Sequence, residues 1–74
     1  MSGEAQAQLS CAQMRRDLLR ELIEESLEVA DAHLQAARAC NHIAADGDTR
    51  HHLKAVQTCF RAISDAFAEL DVLK

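Results

Sequence analysis

Between Leu53 and Leu70, large apolar residues fall at positions 53, 56, 60, 63, 67 and 70, in alternating steps of three and four. Such spacing follows one side of an α-helix and predicts a coiled-coil-like core seam of Leu53, Val56, Phe60, Ile63, Phe67 and Leu70. An earlier segment carries a matching seam of smaller residues: Leu19, Ile23, Ser26, Ala30, His33, Ala37, Cys40 and Ala44. Between the two, "AADGDT" at 44–49 breaks the pattern. Gly47 can take the left-handed conformation that ends a helix. Asp48 or Thr49 can then accept hydrogen bonds from the first free amides of the next one. The pattern therefore predicts one helix ending near Ala45, a turn at 45–48, and a second helix from about Thr49 to the C-terminus. Ser10 followed by Gln13 fits a capping box. It would start the first helix at Cys11, with residues 1–9 a frayed segment or an additional helical turn or two ahead of a single domain at 10–74.

A connection this short makes the two helices fold back on each other, so the expected fold is all-α, an antiparallel helical hairpin. With the turn centred on Gly47, Leu73 would lie opposite about Glu21, and the chain before Leu18 would overhang. Ala30 would face Ile63 and Phe67, and Ala37 would face Val56 and Phe60, large side chains seated in small-residue recesses.

Further apolar positions flank both seams. Leu22, Val29, Ala36 and Ile43 lie on one side of the first helix, Leu27 and Leu34 on the other, and the second helix adds His52, Cys59, Ala66 and Leu73. A lone hairpin covers one seam per helix, and each buried Leu or Ile is worth ~1.5–3 kcal/mol. Exposed apolar surface of this extent marks an interface. The sequence thus predicts a homodimer forming an antiparallel four-helix bundle, with Leu18, Leu22, Leu27, Val29, Leu34, Ile43, Ala66 and Leu73 at its dimer or partner interface. The overhang, with Met14, Arg15 and Arg16, is a docking surface for a second protein.

Composition supports this. The chain has 74 residues, no Pro, Trp or Tyr, and two Gly. That is helix-forming content in a domain too short to bury a large core by itself. Three cysteines without a CxxC pair, no signal-peptide pattern and no apolar run near the ~20 residues of a membrane span predict a cytoplasmic protein with free thiols and no membrane association.

Charge adds an orientation. Residues 17–31 hold six acids against Arg20, and 62–74 hold Asp65, Glu69 and Asp71 against Lys74. Residues 38–61 carry Arg38, Arg50, Lys54 and Arg61 against Asp46 and Asp48. If both acidic segments lie at the open end, head-to-tail hairpins are favoured over like ends side by side. Nucleic acid is not the expected partner. The net charge is −4, only Arg50, Lys54 and Arg61 with His51 line the outer side of the second helix, and both Phe are assigned to the core. An RNA-binding hairpin dimer is the alternative this stripe keeps open.

Candidate chemistry is sparse. His33 and Cys40 share a face, as do His52 and Cys59, but residues seven apart sit about 10.5 Å apart along a helix, too far to hold one ion together. No metal or cofactor is expected, and His33 reads as a core-edge histidine with a hydrogen-bonding partner. "HHLKA", His51 to Ala55, resembles the H-x-L-K-G element of histidine-phosphotransfer domains, with Ala55 where that family has glycine. The resemblance covers five residues and implies His51 as phosphoacceptor and Lys54 as the cation beside it. No Gly-rich phosphate loop or nucleophile–base arrangement suggests an enzyme. The reading that absorbs most of the pattern is a small non-enzymatic regulator, inhibitor, adaptor or chaperone that binds itself and a larger protein.

Overall fold

The computed structural model describes the backbone of residues 2–73 and the side chains of residues 11–73. Two helices, α1 (Ser2–His42) and α2 (Asp46–Val72), pack against each other as a hairpin. The rod measures 64 × 15 × 12 Å. Its radius of gyration is 17.8 Å, against roughly 11 Å for a compact globule of this length. Backbone helix runs through Ser10, so the capping-box start at Cys11 is corrected: α1 begins at Ser2.

The turn also differs from expectation. α1 ends at His42, three residues earlier than predicted, and Ala44 takes the left-handed conformation with φ 58°. The amide of Ala45 donates to the Cys40 carbonyl at 2.8 Å, and the Ala44 amide donates to the Asn41 carbonyl at 3.1 Å. These two bonds form a Schellman motif that satisfies the last carbonyls of α1. Gly47 lies inside α2. Thr49 does not cap: its hydroxyl donates to the Ala45 carbonyl one turn back. No side chain caps α2, while Asp46 and Asp48 in its first turn place negative charge beside the exposed amides.

Moving the turn moves the register. Arg15 meets Glu69 at 2.8 Å, and His33 meets His52 at 2.9 Å, so each residue of α1 faces a residue of α2 such that their numbers total close to 85. Leu73 therefore lies near the level of Ala12 and not of Glu21. Met14, Arg15 and Arg16 run alongside the end of α2, so they do not form an overhang. The acidic run at 17–31 lies beside 54–68, where Lys54 and Arg61 stand, and the expected split into an acidic open end and a basic turn end is lost.

The α1 seam is as predicted through Cys40: Leu19, Ile23, Ala30 and Ala37 are buried, and Ser26, His33 and Cys40 are half-buried. The α2 seam is rotated. It consists of Thr49, His52, Val56, Cys59, Ile63, Ala66, Leu70 and Leu73, again in alternating threes and fours, all buried or half-buried. Leu53, Phe60 and Phe67, expected in the core, are 43%, 52% and 51% exposed. Ala66, expected on a free flank, is 3% exposed and clusters with Leu19 and Ile23, with Ile63, Leu70 and Leu73 packed around them. The cause is size. Ala30 and Ala37 on one helix and Ala66 on the other bring the backbones close, and a phenyl ring on the line between the axes would hold them apart. Turning α2 puts the rings beside the seam.

Candidate interaction faces and the histidine pair

Rotation of α2 gives the rod two distinct broad faces. At 100° per residue, Leu27 and Leu34 of α1 lie on the same side of the hairpin as Leu53, Phe60 and Phe67 of α2. All five are at least 39% exposed. Along the rod, Phe60 lies within about 3 Å of the level of Leu27 near its middle, Leu53 within about 3 Å of the level of Leu34 one heptad toward the turn, and Phe67 one heptad toward the open end. A continuous apolar band results.

The opposite face is grooved. A shallow cleft of 510 Å³ runs between Arg15, Leu18 and Leu22 of α1 and Ala62, Asp65 and Glu69 of α2. A second, of 280 Å³, continues it past Val29, Thr58 and Cys59. Leu22 and Ala62 line both. The Arg15–Glu69 ion pair borders the first cleft, with both side chains about half exposed. Of the expected interface residues, Leu18, Leu22 and Val29 belong to this groove, Leu27 and Leu34 to the phenylalanine band, and Ile43 to the turn, where it is 74% exposed. Phe60, Phe67 and Leu53 are the interface candidates that sequence reasoning missed. Their signal was present in an α2 stripe too wide for one seam, which two alternative groups of residues could fill.

Near the turn, His33 and His52 meet through Nδ1 atoms 2.9 Å apart, their ring centroids 5.1 Å apart and tilted 40°. His33 is thus a core-edge histidine with a partner, as expected. Such a bond requires one ring to be the Nδ1–H tautomer and the other to accept on its bare Nδ1. The rings meet nearly head-on, an arrangement that shares a proton and does not converge on an ion. Among the described residues, no three His, Cys, Asp or Glu side chains are grouped to hold a metal. Cys59 is level with Ser26 and Cys40 lies beside the turn, so neither thiol reaches the histidine pair. All three cysteines are free.

His51 is exposed, its ring edge-on to His52 with centroids 5.4 Å apart, and Lys54 is exposed one turn later. Arg50 and Arg61 are exposed with them. Because Phe60 and Phe67 are not in the core, the absence of free aromatic rings no longer argues against a nucleic-acid partner; the net charge of −4 still does. Among the described residues, no helix is long and apolar enough to cross a membrane. Comparison with known protein families, curated proteins and solved structures finds no match to this chain.

Proposed function

We propose that this protein is a small non-enzymatic binding module of the cytoplasm, a regulator, adaptor or chaperone that pairs with itself into a four-helix bundle and presents a groove to a larger protein. One observation carries the reading: among the described residues, the hairpin buries six apolar side chains and leaves eleven large ones at least 39% exposed, on both broad faces and at the turn. The chain exposes 5836 Å², whereas a compact monomer of 8.2 kDa exposes roughly 4500 Å². The excess on one chain, about 1300 Å², is more than the ~800 Å² per partner that a standard interface buries. One side of the rod can be covered by a second copy while the other stays available. The Leu18–Leu22–Val29 groove has apolar walls and a charged rim at Arg15, Asp65 and Glu69, the anatomy of a surface that receives an amphipathic helix.

Sedimentation equilibrium tests the self-association, and a mass of one chain at micromolar concentration rules it out. For the larger partner, cross-linking from the native host compares the wild type with Leu22→Glu. The reading requires a protein held by the first and lost with the second. Equal recovery by both, or none by either, removes the groove from the function.

A further inference from the structure

We infer that the acidic edge of α1 and the basic edge of α2 flank a homodimer face, the band of Leu27, Leu34, Leu53, Phe60 and Phe67. Its occupant is a second copy related by a two-fold axis along the rod, so that α1 of each copy lies on α2 of the other and turn stands beside turn. This rests on the self-association proposed above and adds to it the face, the direction and the pairing of residues.

Charge beside the band selects the occupant. At 100° per residue, Asp17, Glu21, Glu24, Glu28 and Asp31 border it on α1, whereas Arg50, Lys54 and Arg61 border it on α2. All eight are exposed. Among the described residues, Glu24, Asp31, Lys54 and Arg61 make no ion pair within the hairpin. One long edge of the face is thus acidic and the other basic. Such a face complements itself when the copy is turned about the rod axis, because each acidic edge then meets a basic one. A two-fold across the rod would instead lay α1 on α1, acids facing acids, and α2 on α2, cations facing cations. Exposed pairs contribute little each, so charge chooses the orientation while apolar contact supplies the affinity.

Symmetry then fixes the register. Rotation about an axis along the rod leaves every residue at its own height, so levels found within the hairpin recur between the copies. Asp31 stands level with Lys54 of the partner subunit, and Glu24 with Arg61 of the partner subunit, each pair made twice. Leu27 falls within about 3 Å of the level of the partner's Phe60, and Leu34 within about 3 Å of that of the partner's Leu53. Arg20 has the same offset from the partner's Phe67, where its aliphatic stem can lie on the ring and its guanidinium can face the ring's π cloud. The ends are balanced less well: Arg38 falls between Asp46 and Arg50 of the partner subunit, and Asp17 near Asp71 of the partner subunit. The four pairs in the middle decide. The grooved face is a poorer self-complement, because its α2 wall offers Thr58, Ala62, Asp65 and Glu69, and no large apolar side chain, to a second copy. A standard interface takes ~800 Å² from each copy, which leaves part of the excess surface for the groove.

The test uses the intact chain. Glu24→Lys with Asp31→Lys sets cations against cations across the interface. It should weaken association at least ~10-fold by sedimentation equilibrium at low salt, with helical circular dichroism retained because both residues are exposed. Adding Lys54→Glu and Arg61→Glu reverses all four charges and should restore association to near the wild-type value. In a mixture of isotopically labelled and unlabelled wild type, filtered NMR should show Leu27 methyls contacting Phe60 ring protons of the other copy, and Leu34 methyls contacting those of Leu53. Unchanged or tighter association of the two-charge variant, failure of the four-charge variant to recover, or intermolecular contacts of Phe67 with Leu53 or of Leu22 and Val29, in a protein that is dimeric by mass, would overturn this inference alone. A monomeric mass for the wild type would overturn the proposed self-association with it.

Discussion

Nδ1 of His33 on α1 lies 2.9 Å from Nδ1 of His52 on α2, the one side-chain hydrogen bond between the helices near the turn among those seen in the described residues. The bond exists while at least one ring is neutral, since two imidazolium rings both donate and repel. A double-mutant cycle of His33→Ala and His52→Ala should give a coupling of about 0.5–1.5 kcal/mol. A coupling near zero would mean that the rings contribute only by separate packing.

The left-handed residue of the turn and the turn's glycine are three positions apart. Ala44 bears the φ of 58°, and Gly47 sits in the first turn of α2, where an added Cβ meets nothing within 4 Å. Ala44→Gly should stabilise the hairpin by about 1 kcal/mol by removing a Cβ clash. Gly47→Ala should add up to about 0.5–1 kcal/mol by restricting the unfolded chain. Urea unfolding at one fixed protein concentration measures both. If Ala44→Gly is neutral or destabilising, the turn geometry is not the one described.

Core and band residues should respond in opposite ways. Ala66 is 3% exposed against Leu19 and Ile23, so Ala66→Leu must force the helices apart at a cost of about 1–3 kcal/mol. Phe67→Ser, at a dilution where any dimer has dissociated, should change hairpin stability by less than about 1 kcal/mol. The seam predicted from spacing alone implies the reverse ranking. Thermal melts of the two variants at low concentration distinguish them.

Arg15 places one guanidinium nitrogen 2.8 Å from both carboxylate oxygens of Glu69. Each side chain is about half exposed, so water screens the pair. Glu69→Gln should cost no more than about 0.5–1 kcal/mol, and most of that loss should vanish in 1 M salt. A larger, salt-insensitive loss would show that the pair organises more than the edge of the groove.

The fold class was legible because helix formers fill the chain and one break interrupts its 3.6-residue rhythm. The α1 seam could be read because Leu19, Ile23, Ala30 and Ala37 form a single narrow stripe. On α2, His52, Cys59, Ala66 and Leu73 compete with Leu53, Phe60 and Phe67 for the place beside Val56, Ile63 and Leu70, and hydrophobicity favours the wrong set. The turn misled for a related reason. Glycine is the usual left-handed residue, yet the Schellman bonds from Ala44 and Ala45 close three residues before it.

By itself, then, the sequence determined that two antiparallel helices would form, which residues of α1 face α2, and that apolar surface would remain after they met. Local propensity and periodicity are properties of neighbouring residues, and they suffice for those features. Only the tertiary structure decided the register of 85, the rotation of α2 and hence which face holds the phenylalanines. Those depend on how closely Ala30, Ala37 and Ala66 let two backbones approach, a distance that no single helix contains.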